Sequence, residues 1–552
     1  MITGYTKWPE ETARRYREKG YWENIGVAEM VSRTALRYPE KIAVVAGDRR
    51  ITYRELVANV ERLACRLIES GLRTGDRVVV QLPNLPEFIY VYLALTRIGA
   101  VPVMALRAHR ETEIRHFISA SEAVAYVIAD QANGFDYRPM AENLRAQCPS
   151  LAKVFVVGEP AAGQRSISAM LEEKIDAARI SSALQRVKVE PGNLATLLLS
   201  GGTTSISKLI PRTHNDYVLN ARLCGRAAAF DENTVFMAIL PLGHNYNLAS
   251  PGILGAFYYG GKVVIAPSGD AHDVFALVER ERVSVIAAVV PLITSWVSCD
   301  GLEKYDLSSL KIVQNGGARL APELRKRIIE RMKCFPQEIY GTAEGLINMT
   351  CIGDPEHLML ESSGAPVCDD DEIKVLDEFG NEVPDGEAGE LAARGPYTIR
   401  SYFNAPEVNR TAFTADGFYL LGDIVRKEGR YVFAEGRKKD FINRGGEKIC
   451  CEEIENLILQ HPKVMQTSLV AMPDEIFGEK ACAFVRPQPG ETLGFDELIQ
   501  FMRTRKIASF KLPERLELLG AFPVSPVGKI LKRDLREMIA AKIAAEKEAV
   551  AV

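Results

Sequence analysis

The residues between 194 and 208 combine an apolar run with a small-residue turn and a lysine, a pattern suited to binding a polyanion. The mostly apolar run 194–199 is followed at once by Ser200, Gly201, Gly202, Thr203 and Thr204. Glycines let the backbone approach a bulky anion, and the N–H groups and hydroxyls of such a turn can donate hydrogen bonds to phosphate oxygens. Lys208 adds a positive charge just beyond. The Walker spacing is missing, so the pattern alone fits either a phosphate site or a plain turn between a strand and a helix.

Four later segments place glycines and charged residues beside apolar runs. They read YGTAEG at 340–345, YLLGD at 419–423, GRKKDFINRGGEK at 436–448 and GK at 528–529. Glu344 suits a magnesium ion, which prefers carboxylate oxygen, and Asp423 could accept both ribose hydroxyls of a nucleotide. Lys529 follows a glycine that would let a loop reach into a cleft. Taken singly, each residue also fits an ordinary turn, a surface position or a solvated basic tail.

Together and in this order, the five segments resemble the adenylate-forming superfamily of acyl-CoA synthetases, peptide-synthetase adenylation domains and luciferases. The resemblance covers nearly the whole chain. It implies an enzyme, a ligase that uses ATP and Mg²⁺ to convert a carboxylic acid to its acyl adenylate with release of pyrophosphate. It also implies an α/β fold: a large N-terminal domain of two α/β subdomains plus a small β-barrel, and a smaller mobile α+β C-terminal domain.

The resemblance assigns most of the ATP site. The ATP-binding residues it implies are Ser200, Gly201, Gly202, Thr203, Thr204, Lys208, Gly316, Gly317, Ala318, Tyr340, Gly341, Thr342, Asp423 and Arg437. Glu344 would be the metal ligand. The chain departs from the family at Ser205 and Ser207, where a glycine and a proline are usual, and at Ala343, where the aryl-acid branch also lacks the common threonine.

The segment GHNY at 243–246 resembles the corresponding part of stand-alone aryl-acid AMP ligases of siderophore biosynthesis. By this resemblance His244 and Lys529 act in catalysis, Asn245 contacts the acid and its 2-hydroxyl, and Tyr246 forms one wall of the pocket for the ring. The other substrate-binding residues it implies are Ser250, Ala318, Ile339, Gly341 and Ile347. Because Ser250 could bond a ring 3-hydroxyl, 2,3-dihydroxybenzoate is the favoured acid. Salicylate is the alternative acid, and a capped loop end is the structural alternative for His244 and Asn245.

A second half reaction is implied, in which a thiol takes the acyl group. The C-terminal domain would turn about Lys439, withdraw Lys529 and present Gly445, Gly446 and the catalytic Lys448 beside a pantetheine channel. The expected acceptor is the phosphopantetheine thiol of an aryl carrier protein on a separate chain. An aryl-CoA or acyl-CoA ligase would use the same residues with free CoA. A nucleotide-binding protein with weak catalysis, suggested by the two serines in the phosphate loop, is the alternative of another class.

The elements that must position these residues alternate between strands and helices after a charged helical lead-in at 10–40. Strands are expected at 77–81, 101–104, 194–199, 235–240, 283–290, 311–315 and 338–340. This order predicts open α/β sheets, in which ligands bind at the carboxyl ends of strands. From about 373, short strands with turn signals predict a small antiparallel sheet or barrel. We expect an adenylation core at 1–437, a hinge at 438–440 and an α+β lid domain at 441–552.

Composition excludes several other classes of protein. A chain of 552 residues predicts two or more domains, and a net charge of -4 argues against a nucleic-acid partner. The most apolar run, 283–293, is far shorter than the ~20 residues that cross a bilayer, so no membrane segment is expected. The N-terminus lacks a signal-peptide pattern, which predicts a cytoplasmic protein. Ten cysteines without paired CxxC spacing predict neither a disulfide framework nor a zinc site.

Overall fold

The computed structural model describes residues 3–200, 207–437, 441–444, 447–474, 476–505, 507, 509–525 and 528–550. In these ranges the α-helices are α1 (Glu10–Glu18), α2 (Val27–Arg37), α3 (Tyr53–Glu69), α4 (Pro86–Arg97), α5 (Glu111–Ser121), α6 (Arg138–Gln147), α7 (Ile167–Glu172), α8 (Ala177–Gln185), α9 (His214–Ala227), α10 (Asn245–Ala249), α11 (Gly252–Tyr259), α12 (Ala271–Glu281), α13 (Val290–Val297), α14 (Pro322–Met332), α15 (Glu356–Glu361), α16 (Pro406–Ala412), α17 (Cys451–Ile458), α18 (Phe495–Arg503) and α19 (Lys532–Val550).

The strands in the same ranges are β1 (Ile42–Ala46), β2 (Arg49–Thr52), β3 (Arg77–Gln81), β4 (Val101–Met104), β5 (Ala125–Ala129), β6 (Gln131–Ala132), β7 (Phe135–Asp136), β8 (Lys153–Val157), β9 (Arg165–Ser166), β10 (Leu194–Leu199), β11 (Leu209–Thr213), β12 (Val235–Ala238), β13 (Lys262–Ile265), β14 (Val285–Ala288), β15 (Ile312–Gly316), β16 (Phe335–Thr342), β17 (Gly345–Met349), β18 (Ala365–Pro366), β19 (Glu372–Leu376), β20 (Gly389–Arg394), β21 (Tyr419–Glu428), β22 (Tyr431–Arg437), β23 (Phe441–Arg444), β24 (Glu447–Cys450), β25 (Val464–Asp474), β26 (Gly478–Pro487) and β27 (Arg515–Leu518). Two short 3-10 helices lie at Leu302–Lys304 and Ser509–Lys511.

A nine-stranded sheet forms the centre of the molecule, in the order β18-β17-β16-β15-β14-β12-β13-β1-β2. The strands from β16 to β1 pair in parallel, whereas β17, β18 and β2 are antiparallel additions at the two edges. Both faces are covered by helices, which is why β14 and β15 are buried along their whole length. The carboxyl ends of the parallel strands therefore meet at one edge.

A second sheet of seven strands has the order β11-β10-β4-β3-β5-β8-β9. All its pairs are parallel except β10 with β11, whose register runs from Leu199 opposite Leu209 to Leu194 opposite Thr213. The segment 200–208 thus joins two neighbouring antiparallel strands. Of the two alternatives left open for this segment, a plain turn between a strand and a helix is wrong, because Leu209–Thr213 pairs with β10 before α9 begins.

The remaining strands form three smaller sheets: the two-stranded pair of β6 and β7 and two larger sheets, all antiparallel except where β27 joins β26. The sheet β19-β20-β21-β22 begins at Glu372, close to residue 373, from which turn signals in the sequence predicted short strands. It is open, not a barrel: in the described ranges its two outer strands do not pair with each other, and four strands are too few to close. The other sheet, β24-β23-β26-β25 with β27 beside β26, carries α17, α18 and α19 and forms the C-terminal α+β unit. The proposed domain limits and the hinge residue Lys439 fall at 438–440, outside the described residues.

Helix α9 links the two large sheets to the lead-in helices. It begins with a capping box, in which Thr213 Oγ1 accepts from the Asp216 N–H and the Asp216 carboxylate accepts from the Thr213 N–H. Most of its side chains are buried, including several polar ones. No helix in the described ranges is long and apolar enough to cross a bilayer.

Candidate active site

Lys529 reaches from the C-terminal unit to the carboxyl edge of the nine-stranded sheet. A tight turn holds it: the Ser525 N–H donates to the Lys529 carbonyl at 2.7 Å, and the Lys529 N–H donates to Ser525 Oγ at 3.1 Å. Gly528 has a φ of +81°, which favours glycine at this position. The Lys529 Cε lies 2.9 Å from where a Cβ on Gly317 would be, so a side chain there would collide with the lysine.

His244 lies close to Lys529 and carries no charge at neutral pH. Burial and, to a lesser degree, the positive charge of Lys529 lower the pKa of His244 to about 4. The His244 ring accepts a hydrogen bond from the Tyr246 N–H through Nδ1 at 3.3 Å, which caps α10. The capped loop end considered from sequence is therefore present, and it holds the imidazole beside the lysine.

A hydrogen bond joins Asn245 and Ser250, the two residues predicted to contact the ring hydroxyls. The Asn245 Nδ2 donates to Ser250 Oγ at 3.1 Å, and both residues are buried. The ring of Tyr246 lies against Gly316, where a Cβ would be 2.9 Å from two ring carbons. The segment 243–250 therefore places a hydrogen-bonded polar pair and an aromatic ring near the end of β15.

A second wall is formed by the hairpin of β16 and β17. Gly341 pairs with Ile347 across the hairpin, and a Cβ on Gly341 would lie only 2.2 Å from the Leu346 carbonyl oxygen and 2.8 Å from Ile347 Cδ1. Ile339 is opposite Gly316 in the parallel pair of β15 and β16. The predicted ring-binding residues Ile339, Gly341 and Ile347 therefore lie on one hairpin beside the end of β15.

The residues predicted to bind ribose meet at the start of the β21 and β22 hairpin. The Tyr340 hydroxyl donates to Asp423 Oδ2 at 2.9 Å, which joins the YGTAEG and YLLGD segments. Asp423 is largely buried and pairs in register with Arg437. Of the nearby predicted ATP contacts, Ala318 is exposed and its carbonyl accepts from Asn315 Nδ2 at 2.7 Å, while Thr342 donates to the Gly345 carbonyl at 2.9 Å.

Glu344 is a buried carboxylate that Tyr402 links to Lys208. Its Oε1 accepts a 2.7 Å hydrogen bond from the Tyr402 hydroxyl, and the ammonium of Lys208 lies 4.9 Å from the centre of the Tyr402 ring. Within the described ranges no group of three or more His, Cys, Asp or Glu side chains could hold a metal by itself. A single carboxylate fits Mg²⁺ bound mainly through nucleotide phosphates, which is how proteins usually hold this ion.

The ends of the phosphate loop are held together, while the loop itself lies outside the described residues. The Lys208 N–H donates to Ser200 Oγ at 2.9 Å and the Ser200 N–H donates to the Lys208 carbonyl at 3.0 Å. The predicted residues that fall outside the description are Gly201, Gly202, Thr203, Thr204, Ser205, Lys439, Gly445 and Gly446. Lys448 lies in β24, opposite Asn443 of β23, in a different hairpin from Lys529.

Three residues behind Asn245 and Ser250 were not predicted from the sequence. They are Tyr217, Asn220 and Cys224, and all lie on α9, a helix that the hydrophobic pattern does not reveal. The Tyr217 hydroxyl donates to Asn245 Oδ1 at 2.9 Å, and Asn220 Nδ2 donates to Ser250 Oγ at 3.1 Å. Their spacing of i, i+3 and i+7 puts them on one face of a helix, but α9 contains several other polar residues, so no sequence signal singles these three out.

Comparison with known proteins agrees with this arrangement. Residues 31–403 match the family model described as AMP-binding enzyme, and residues 453–529 match the AMP-binding enzyme C-terminal domain. The chain is 42% identical over 548 residues to the 2,3-dihydroxybenzoate-AMP ligase of Bacillus subtilis, covering 99% of each chain. It is 41% identical to a salicylyl-CoA synthase / salicylate adenylyltransferase of Streptomyces, covering 98% of each. The apo structure of MbtA from Mycobacterium smegmatis is similar at a TM-score of 0.74 and 38% identity, covering 97% of this chain and 98% of that one.

Proposed function

The chain belongs to the AMP-binding enzyme family, and we propose that it is a ligase that activates a hydroxylated aromatic acid, 2,3-dihydroxybenzoate in the favoured case, for siderophore biosynthesis. In the first step a carboxylate oxygen of the acid attacks the α-phosphorus of ATP. The bond to the bridging oxygen breaks, pyrophosphate leaves with the electron pair, and a mixed anhydride, the acyl adenylate, remains.

The position of Lys529 is the single observation that carries this proposal. The step brings a carboxylate against a phosphate, and one cation ~4 Å from such a charge contributes about 4 kcal/mol at an effective dielectric near 20. The side chain of Lys529 passes over Gly317, and its charge helps to lower the pKa of His244. It therefore lies between the acid pocket and the strand ends. His244 is neutral there, and because its Nδ1 accepts from the Tyr246 N–H, its Nε2–H can donate a hydrogen bond while Lys529 supplies the charge.

The nucleotide would lie along the strand ends beside this lysine. Ser200 and the turn after it would bind the phosphates with Lys208, and Asp423 with Arg437 would bind the ribose. The backbone at 316–318 would face the purine. Mg²⁺ bound at Glu344 and the phosphates would neutralise part of the charge of the triphosphate.

The aromatic ring would lie between Tyr246 and the β16 and β17 hairpin. Asn245 and Ser250 would meet the 2-hydroxyl and 3-hydroxyl, since a pocket that bonds a hydroxyl rejects the analogue lacking it. The Bacillus subtilis relative that carries the name of this acid supports the choice. Ile339 and Ile347, both buried, would supply the apolar side of the slot.

In the second step a thiol attacks the acyl carbonyl, a thioester forms and AMP leaves. We place this step in a second arrangement of the C-terminal unit, turned about Lys439, in which Lys448, Gly445 and Gly446 face the thiol. The acceptor in this proposal is the phosphopantetheine of an aryl carrier protein. The Streptomyces relative, whose name includes a CoA synthase activity, favours free CoA as the second candidate.

Exchange of labelled pyrophosphate into ATP tests the first step across benzoate, salicylate, 2,3-dihydroxybenzoate and heteroaromatic acids. We expect exchange to require an acid and to be fastest with 2,3-dihydroxybenzoate. Exchange that stays at background with every acid, while ATP still binds, would identify the chain as a nucleotide-binding protein. Acyl transfer to a carrier protein compared with transfer to CoA separates the two acceptors.

A further inference from the structure

Helix α9 presents three residues with hydrogen-bonding side chains on one face to the segment that carries Asn245 and Ser250. Tyr217, Asn220 and Cys224 are spaced i, i+3 and i+7, so their side chains lie in one row along the helix. All three are fully buried. None belongs to the residues that the sequence motifs assign to the acid.

Tyr217 fixes which end of the Asn245 amide faces which partner. Its hydroxyl donates to Asn245 Oδ1 at 2.9 Å, so the opposite end, Nδ2, points toward Ser250. Burial raises the pKa of Tyr217, so the hydroxyl keeps its proton and remains a donor. The ring is held by Arg212, whose guanidinium carbon lies 5.0 Å from the ring centre. A rigid, always protonated donor therefore sets the orientation of the amide.

Asn220 fixes the direction of the Ser250 hydroxyl. Its Nδ2 donates to the Ala249 carbonyl at 2.6 Å and to Ser250 Oγ at 3.1 Å. A carbonyl oxygen only accepts, so the amide orientation of Asn220 is unambiguous. Ser250 Oγ then receives N–H groups from both Asn220 and Asn245, which occupy its two lone pairs. Its own hydrogen must be donated to something else.

We infer that Tyr217 and Asn220 are positioning residues that make Asn245 and Ser250 hydrogen-bond donors toward the acid and so determine which ring hydroxyls are accepted. The inference rests on the proposed function of this pocket. Asn245 Nδ2 carries two hydrogens and uses one on Ser250, which leaves the other for the oxygen of a 2-hydroxyl. The Ser250 hydrogen is left for the oxygen of a 3-hydroxyl, since its protein neighbour, the Cys224 thiol, is a weak acceptor.

Substitution of each positioning residue is expected to change a different ratio of kcat/KM values between two acids. Tyr217→Phe removes the donor that orients Asn245, so the amide can rotate and offer its oxygen instead. We expect the ratio of kcat/KM for salicylate over benzoate to fall roughly fivefold to tenfold, the effect of one buried hydrogen bond. Asn220→Ala frees a lone pair on Ser250, so we expect the ratio for 2,3-dihydroxybenzoate over salicylate to fall by a similar factor. Neither change alters KM for ATP.

Tyr92→Phe is the matched control for the tyrosine. Tyr92 is as buried as Tyr217, and its hydroxyl makes no hydrogen bond to any residue that the structure describes. Its removal therefore leaves both acid ratios as in the wild type. Thermal unfolding of all variants shows whether each one folds.

The outcomes separate this inference from the proposed function. Wild-type exchange that depends on a hydroxylated acid upholds the proposed function. If the salicylate to benzoate ratio is then unchanged in Tyr217→Phe, and the dihydroxybenzoate to salicylate ratio is unchanged in Asn220→Ala, the inference alone is overturned. An equal loss with every acid, including benzoate, also overturns it, because it would show that these residues only maintain the fold. Wild-type exchange that ignores ring hydroxyls overturns both.

Discussion

Lys529 is the residue on which the proposed chemistry depends, and its position follows from local backbone geometry. Gly528 supplies the left-handed turn and Ser525 closes it from both sides, so the lysine projects from a fixed base. Gly317 has no side chain to block its path. A glycine in each partner thus lets two distant parts of the chain meet.

Replacing Lys529 by alanine should remove most of the first step. Loss of a cation worth about 4 kcal/mol corresponds to a fall of about 10³ in the rate of acid-dependent pyrophosphate exchange. Lys542→Ala is the control, because Lys542 is an exposed lysine of the same unit that pairs with Glu517. Exchange that survives the first substitution at wild-type rate would place the reacting groups elsewhere.

Gly341 tests the packing of the ring slot. In Gly341→Ala the new methyl would lie 2.2 Å from the Leu346 carbonyl oxygen, so the hairpin must move and carry Ile347 with it. We expect a higher KM for the acid and a loss of about 1–3 kcal/mol in the free energy of unfolding, the usual cost of overpacking. Gly520→Ala, with no atom within 4 Å of the added methyl, should change neither quantity.

At the scale of elements, the β17 strand that carries Ile347 is tied to a buried carboxyl group. The Tyr397 hydroxyl donates to Asp371 Oδ2 at 2.6 Å and accepts from the Ile347 N–H at 3.2 Å. Burial raises the pKa of the Asp371 carboxyl to about 7. Strand β17 is therefore hydrogen-bonded, through Tyr397, to a carboxyl group whose pKa lies near neutral pH.

The raised pKa of Asp371 predicts how stability depends on pH. A carboxyl whose pKa is higher in the folded state holds its proton more tightly there, so the free energy of unfolding decreases as pH rises from about 4 to about 7. At ~1.4 kcal/mol for each pKa unit, the decrease is on the order of 4 kcal/mol. Asp371→Asn should flatten this part of the profile in chemical denaturation, while the exposed neighbour Asp369→Asn keeps it. A wild-type profile that is flat or rising over this range would contradict the assignment.

The sequence predicts several strands of the seven-stranded sheet better than helix α9, which lies behind Asn245 and Ser250. The limits of β3, β4 and β10 were predicted to the residue, because short apolar runs bounded by polar turns are typical of buried parallel strands. Helix α9 was not predicted, because its polar residues are buried together with its apolar ones and the sequence shows no clear amphipathic pattern. The motifs that carry His244, Asp423 and Lys529 could be recognised as short patterns, but Tyr217 and Asn220 act through contacts that only the fold creates.

At the scale of the whole molecule, the C-terminal unit is held against the nine-stranded sheet by a charged contact as well as by Lys529. Arg319, just after β15, lies 3.5 Å from Glu452 at the start of α17, and both side chains are largely buried. Burial outweighs this pairing and raises the pKa of Glu452 to about 7. The Cys450 thiol also donates to the Glu435 carbonyl in β22. These contacts belong to the arrangement that brings Lys529 to the sheet.

Arg319→Gln should weaken the arrangement that brings Lys529 to the sheet and should not affect the proposed arrangement for thiol transfer. A partly buried ion pair worth about 1 kcal/mol predicts a fall of roughly fivefold in pyrophosphate exchange, with no fall in thiol transfer from a preformed acyl adenylate. Arg410→Gln, which removes an exposed pair with Glu407, is the control. Equal loss of both half reactions would argue against two arrangements of the C-terminal unit.

The identity of the product is the most direct test of the central claim, that Lys529 and the strand ends join an aromatic acid to AMP. The protein is incubated with ATP, Mg²⁺ and 2,3-dihydroxybenzoate in the absence of any thiol, and the bound and released compounds are identified by mass spectrometry. We expect one acyl adenylate held on each chain and one pyrophosphate released with it. Formation of ADP and phosphate, or of no product that contains both the acid and AMP, would contradict it.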